Sequence, residues 1–156
     1  VHVMDGAFLV SFDAAMKKAY TAAAVRMSTM EFGKMAQPGG TFYGADKLDN
    51  GKIVLGSNQE NAAYPSGLCA ERVAIFHSNA IYPDAKILKM AISAASDTNQ
   101  TKAPTPPCGS CRQSISEYEF KQDTPIEIYF MGEIGQIYKS DSIKNLLPLS
   151  FDKNFL

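Results

Sequence analysis

No apolar run in this 156-residue sequence approaches the ~20 residues that a membrane-spanning helix requires. The longest, residues 7–10 and 126–131, are far shorter, and the second is interrupted by Glu127. Nor is there a block of Lys or Arg: 15 basic residues face 16 acidic ones, for a formal net charge of −1. That balance gives no electrostatic footprint for a phosphate backbone or an anionic membrane surface, so neither nucleic acid nor membrane is expected as a partner. The opening Val1-His2-Val3-Met4-Asp5 lacks the basic and then apolar pattern of a secretory signal, and a cytoplasmic protein is the expectation. Cysteine is scarce as well. Cys69, Cys108 and Cys111 are too few, and odd in number, for the disulfide framework of a small secreted domain, which leaves metal or redox chemistry as their use.

What is present suits one domain spanning 1–156, because 46% apolar residues can build a substantial core. Phe12, Met16, Ala19 and Tyr20 follow helical spacing and predict an amphipathic helix from Ser11 into the low twenties. Asp49-Asn50-Gly51 is a turn signal between two short strands, residues 44–48 and 52–56, and predicts a hairpin. From Cys69 a run without Gly or Pro predicts a helix ending before Tyr82. Residues 87–94 then read as a buried strand, and a polar loop over 96–107 leads to a second helix from about Cys108 to Phe120, with Pro107 in its first turn. Residues 126–131 form a further strand rich in β-branched and aromatic side chains, and Gly132 and Gly135 bracket a turn into Ile137-Tyr138. Strand, helix, strand, helix, strand is the order of an α/β fold with helices packed on a mixed sheet. In such sheets ligands lie beyond the carboxyl ends of the strands, where helices begin. Both cysteine motifs fall at those helix starts.

Cys108 and Cys111, three apart, share one helix face and can present two sulfurs to one ion. A helix amino end favours the thiolate that a metal requires. Cys69, at the start of the other helix, can supply a third. Three protein ligands leave an open position for solvent, the arrangement of catalytic rather than structural zinc. A fourth ligand would have to be His2, near the terminus, or His77, which a helix places ~12 Å from Cys69; a place on the helix, partly packed against the sheet, is the plainer reading of His77. Glu71 lies two residues past Cys69, and in a helix interior it would point ~200° away. Only if Cys69 caps the helix can Glu71 reach the same centre and shuttle a proton; otherwise it merely complements the helix dipole. Cys108-Gly109-Ser110-Cys111 alone could be a dithiol redox motif, but C-A-E followed by P-C-x-x-C is the arrangement of zinc deaminases.

Gly56-Ser57-Asn58-Gln59-Glu60-Asn61-Ala62-Ala63-Tyr64, Cys69-Ala70-Glu71-Arg72 and Pro107-Cys108-Gly109-Ser110-Cys111-Arg112-Gln113 together resemble the small tetrameric cytidine deaminases. The likeness runs on through Leu146-Leu147-Pro148-Leu149-Ser150-Phe151 and covers about two thirds of the chain, from Asp49 onward. The resemblance implies a three-layer α/β/α fold around a mixed sheet of about five strands, with one zinc ion per subunit held by Cys69, Cys108 and Cys111. It implies that Glu71 protonates the ring N3 and relays protons as C4 is attacked, releasing ammonia. Asn58 and Glu60 match the pair that hydrogen-bonds the ribose hydroxyls, and Ala70 is a further substrate-binding position. Arg72 matches an arginine that hydrogen-bonds the zinc thiolates, with an exposed helix arginine as its plain alternative. Arg112 is left as surface or structural. Ala62, Tyr64 and Phe151 match positions that reach active sites of neighbouring subunits, so a homotetramer with a nucleoside substrate is expected.

The departure lies in the first third. The family carries Phe-x-Val-Gly-Ala on its first strand, with the phenylalanine stacked on the pyrimidine. Counting back from Asn58 puts Gly40 at that ring position, and Phe42-Tyr43-Gly44-Ala45 is the nearest string. The stacking residue is left unassigned; Phe42 is a candidate, or simply a core strand residue. Residues from Thr21 to Gly44 are harder to read than the rest, and the stretch between Ala19-Tyr20-Thr21 and Asp49 is longer than the family's, with Met27, Met30 and Met35 in no clear period. Alternatives to cytidine deamination are another cytosine nucleoside or nucleotide as substrate, a zinc-stabilised binding module without catalysis, and polynucleotide editing, which the charge does not support.

Overall fold

The computed structural model describes residues 2–3, 42–95 and 100–155. The helix expected from Ser11 and the irregular stretch up to residue 41 lie outside the described residues. Six strands form one sheet in the order β1-β6-β5-β4-β2-β3: β1 His2–Val3, β2 Phe42–Leu48, β3 Ile53–Ser57, β4 Ile87–Ala94, β5 Glu127–Met131 and β6 Tyr138–Ser140. Two helices follow β3 and β4, α1 over Ala70–Ile81 and α2 over Gly109–Gln122. β4 and β5 run parallel and every other neighbouring pair is antiparallel, so the sheet is mixed and the fold α/β. Strands 42–57 and 87–140 supply the expected five, and β1 adds a two-residue edge.

The hairpin forms where Asp49-Asn50-Gly51 predicts it. Gly51 takes a φ of 82°, and Lys52 N–H donates to the Asn50 side chain at 2.9 Å. The 44–48 strand extends back to Phe42, and β5 starts one residue later than expected, at Glu127. Alternation along the strands sends Met90, Ile92, Ile128 and Phe130 to one face. There they form a single core with Ile75 of α1 and Ile115 of α2. Each such buried aliphatic side chain contributes about 1.5–3 kcal/mol relative to exposure, and this shared apolar face is what seats both helices beside one another on the sheet.

Two glycines set how closely α1 approaches. Gly44 and Gly56 are direct partners across the hairpin. A Cβ on Gly44 would meet the Ala70 carbonyl oxygen at 2.8 Å, and one on Gly56 would meet the Ala74 nitrogen at 2.4 Å. Only a bare backbone pair lets the first turns of α1 rest directly on the strands.

Two of the carboxyls buried among the described residues, Glu119 and Asp46, are in opposite circumstances. Glu119 of α2 accepts hydrogen bonds from Ile126 N–H, Ile143 N–H and the Ser142 hydroxyl, tying the start of β5 to the turn beyond β6. Asp46 of β2 is fully buried and accepts from the Ser78 hydroxyl at 2.9 Å, and its Oδ1 has no partner among the described residues. Burial pushes its carboxyl up from 3.8 to about 8, with the Ser78 bond pulling the other way. Between about pH 4 and pH 8 the folded state therefore keeps a proton that the unfolded chain has lost, and stability falls as pH rises through that window. Denaturant midpoints are expected to decline across this range and level off above it, and Asp46→Asn is expected to flatten the decline. A pH profile unchanged by the substitution would remove Asp46 as its source.

Candidate active site

The site is built at the starts of the two helices. Cys69 caps α1 with extended backbone angles, φ −68° and ψ 153°. Cys108 caps α2 in the same way, φ −67° and ψ 170°. Pro107 therefore precedes the cap, one residue outside the first turn expected for it, because Cys108 itself is still extended. This extended cap is the condition under which Cys69 and Glu71 can face one centre, since the 100°-per-residue rotation starts only after Cys69.

The three sulfurs converge. Cys69 Sγ lies 3.7 Å from Cys108 Sγ, Cys108 Sγ lies 3.5 Å from Cys111 Sγ, and all three fall within 4.8 Å of one another. These separations are too long for a disulfide, and the three cysteines are free. Tetrahedral thiolate coordination at ~2.3 Å spaces sulfurs ~3.8 Å apart, so the cluster fits a zinc-sized ion.

The electrostatics of the cluster also call for a cation. Burial pushes the Cys111 thiol far up, and the Glu71 charge adds to the shift. The Cys69 thiol is raised by burial and by its neighbour Cys108. Burial opposes ionisation of Cys108 too, yet hydrogen bonds from the Cys111 N–H, the Cys111 and Cys69 thiols and the Ser110 N–H together outweigh it and hold this thiol below its ordinary value. One thiolate is favoured by the helix start and the others are penalised by crowding. A divalent ion in their midst reverses that penalty.

Glu71 is buried beside them, and its Oε2 has no hydrogen-bond partner among the described residues. Burial raises its carboxyl above the usual range, partly offset by its own backbone N–H and by Cys111. Such an orphaned buried oxygen points to a missing polar partner. Arg72, the next residue, donates from Nη2 to the Gly67 carbonyl at 3.0 Å. Partial burial disfavours its charge, but Cys69 and Cys111 favour it more strongly.

A cavity of about 450 Å³ opens in front of this cluster, a volume in the usual range for small-molecule sites. Cys69, Glu71 and Cys108 line one part, and Asn58, Glu60 and Tyr64 also line it. Asn58 Nδ2 donates to Glu60 Oε1 at 2.7 Å, which presents the two side chains as one polar unit. Their placement comes from an isolated antiparallel bridge between Gln59 and Leu68, with Gln59 N–H to Leu68 O at 2.7 Å and Leu68 N–H to Gln59 O at 3.0 Å. Gln59 is flanked by Asn58 and Glu60 and Leu68 abuts Cys69, so the bridge fixes the pair relative to the sulfur.

Of the remaining positions read from the sequence, Ala70 is fully buried at the helix start, whereas Ala62, Tyr64 and Phe151 are exposed, Tyr64 at 88%. Tyr64 lines the cavity of its own chain. His77 is exposed rather than packed against the sheet, because α1 turns its Ala74, Ile75 and Ser78 face inward. His2 belongs to β1, at the opposite edge of the sheet from β3. Phe42 belongs to β2, paired with Ala94; Gly40 lies outside the described residues. Thr105 and Pro106 also line the cavity and were not singled out from the sequence. Their position just before Cys108 was the available signal.

Fold and cluster define an α/β protein with a candidate metal centre. Comparison with known proteins supplies the family. Cytidine deaminase from Halalkalibacterium halodurans is 34% identical over 104 residues, 67% of this chain and 71% of that protein. Cytidine deaminase from Sporosarcina psychrophila is 34% identical over 108 residues, 69% of this chain and 72% of that protein. The crystal structure of cytidine deaminase from Burkholderia pseudomallei matches with a TM-score of 0.62 and 27% identity, covering 85% of this chain and 94% of that one. The chain belongs to the cytidine deaminase family, and so among the hydrolases. Residues 1–57 also match a family model described as HbpS-like, haem degrading protein HbpS-like. That match contains the stretch from Thr21 to Gly44 where the sequence departs from the deaminase pattern.

Proposed function

We propose that this chain catalyses the zinc-dependent hydrolytic deamination of cytidine or deoxycytidine to uridine or deoxyuridine and ammonia, a step of pyrimidine salvage. The observation that carries the reading is the meeting of three sulfurs behind one cavity whose wall includes Cys69, Cys108 and Glu71 and which Asn58 and Glu60 also line. Cys69, Cys108 and Cys111 would hold the zinc, which when bound supplies a Lewis acid able to make solvent nucleophilic at neutral pH.

The protein's own residues do the rest. Glu71, kept out of bulk water, holds a proton at Oε2 and gives it to the ring N3 as C4 is attacked; the carboxylate so formed takes a proton from the attacking solvent molecule and passes it to the departing amine, which leaves as ammonia. Arg72 offsets the negative charge of the thiolates. Asn58 and Glu60 take the ribose hydroxyls, for which a carboxylate is a suitable acceptor pair. Ala70, between the sulfur and the acid, is assigned to the base end. The reading also includes one domain over 1–156, a cytoplasmic location and a homotetramer in which Ala62, Tyr64 and Phe151 reach neighbouring sites; the exposure of all three supports the last.

The test is the loss of cytidine absorbance on incubation with purified protein, run beside free cytosine and phosphorylated cytidine. Turnover of cytidine is expected to exceed both, because the sugar contacts are made by a carboxylate that attracts hydroxyls and repels phosphate. Faster turnover of the nucleotide would change the substrate, and no turnover with zinc bound would leave a binding module. Glu60→Ala is expected to raise KM for cytidine at least tenfold, the loss of a charged hydrogen bond worth about 1.5–3 kcal/mol. An unchanged KM would place the sugar elsewhere.

A further inference from the structure

Arg112 has no part in the chemistry above, yet its guanidinium joins two segments far apart in sequence. Nε donates to the Pro107 carbonyl at 2.8 Å, and Nη1 donates to the Leu146 carbonyl at 3.1 Å. The Pro107 carbonyl belongs to the peptide unit that leads into Cys108, the sulfur ligand candidate with extended backbone at the helix cap. Pro107 itself is fully buried and can donate nothing to hold its own place. The next residue, Gln113, donates to the Phe151 carbonyl at 2.7 Å, a contact that anchors the C-terminal segment without touching the cysteine loop.

We propose that Arg112 is a positioning residue for the metal centre: by holding the Pro107 carbonyl it fixes the backbone rotation that aims Cys108 Sγ at Cys69 and Cys111. A planar guanidinium presents its donors in a fixed fork, so the two carbonyls locate it and it in turn locates the cap. A lysine offers one flexible ammonium and cannot hold both carbonyls in that geometry.

This inference rests on the metal reading, and the experiment separates the two. Zinc-loaded protein is mixed with a chromophoric chelator to follow zinc release, and cobalt(II)-substituted protein gives the thiolate charge-transfer and visible bands of the centre. Arg112→Ala is expected to release zinc at least tenfold faster and to shift the cobalt bands. Arg112→Lys is expected to release zinc severalfold faster than wild type, and it serves where the alanine variant does not fold. Gln113→Ala is expected to lower thermal stability while leaving both readouts at wild-type values. Equal zinc release and unshifted cobalt bands in the Arg112 variants, with stability lost as in Gln113→Ala, would reduce Arg112 to a structural clamp. Wild-type protein that takes up neither metal would instead overturn the metal reading itself.

Discussion

Glu71→Gln is expected to lower kcat for cytidine by roughly a thousandfold, within the ~10²–10⁴ that a positioned general acid–base contributes. The amide keeps the shape and can still fill the buried space, but it can neither accept nor return a proton at the position of Oε2. Metal content and thermal stability should stay close to wild type, since this oxygen has no hydrogen-bond partner to lose. Thermal stability serves as the control: a carboxyl whose burial raises it above its ordinary range is held there at a cost that the amide avoids. Wild-type kcat in the glutamine variant would move proton transfer to another group, whatever else the site does.

Removal of the ion, by chelation or by Cys111→Ser, is the second large effect. Cys111 is wholly buried and sits within 4.8 Å of both other sulfurs, so its loss cannot be made good by solvent from outside. Loss of a group that merely supports a metal ligand typically weakens binding ~10–100-fold, and loss of a ligand itself is expected to exceed that. Cys111→Ser is therefore expected to retain less than about a tenth of the zinc per chain and to have no measurable turnover. Chelated wild-type protein should recover activity on adding zinc back, while the serine variant should not. Full activity after complete chelation would exclude the metal from the reaction.

The parts of this arrangement that were legible in the sequence are those set by local chemistry. The hairpin turn follows from Asp49-Asn50-Gly51, the strand over Ile87–Ala94 from its apolar run, and the grouping of Cys69 with Cys108 and Cys111 from two motifs at helix starts. The parts that were not legible depend on what lies opposite a residue in space. Nothing local tells that Gly44 pairs with Gly56 under a helix, that Asp46 is buried against Ser78, or that Arg112 spans two carbonyls 39 positions apart. His77 shows the same limit: periodicity placed it on a helix, but which side of α1 faces the sheet was fixed by Ala74, Ile75 and Ser78. Between Thr21 and Gly44 no periodicity was readable, and that stretch falls within the match to a different family model.

The Gln59–Leu68 bridge has a consequence for how this enzyme can diversify. A pair of reciprocal peptide hydrogen bonds clamps the neck of the excursion formed by residues 60–67, so changes at its tip need not propagate to either end. Lengthening or recomposing that tip would alter what the rim offers to an incoming molecule, while the span from Asn58 to the Cys69 sulfur stays as it is.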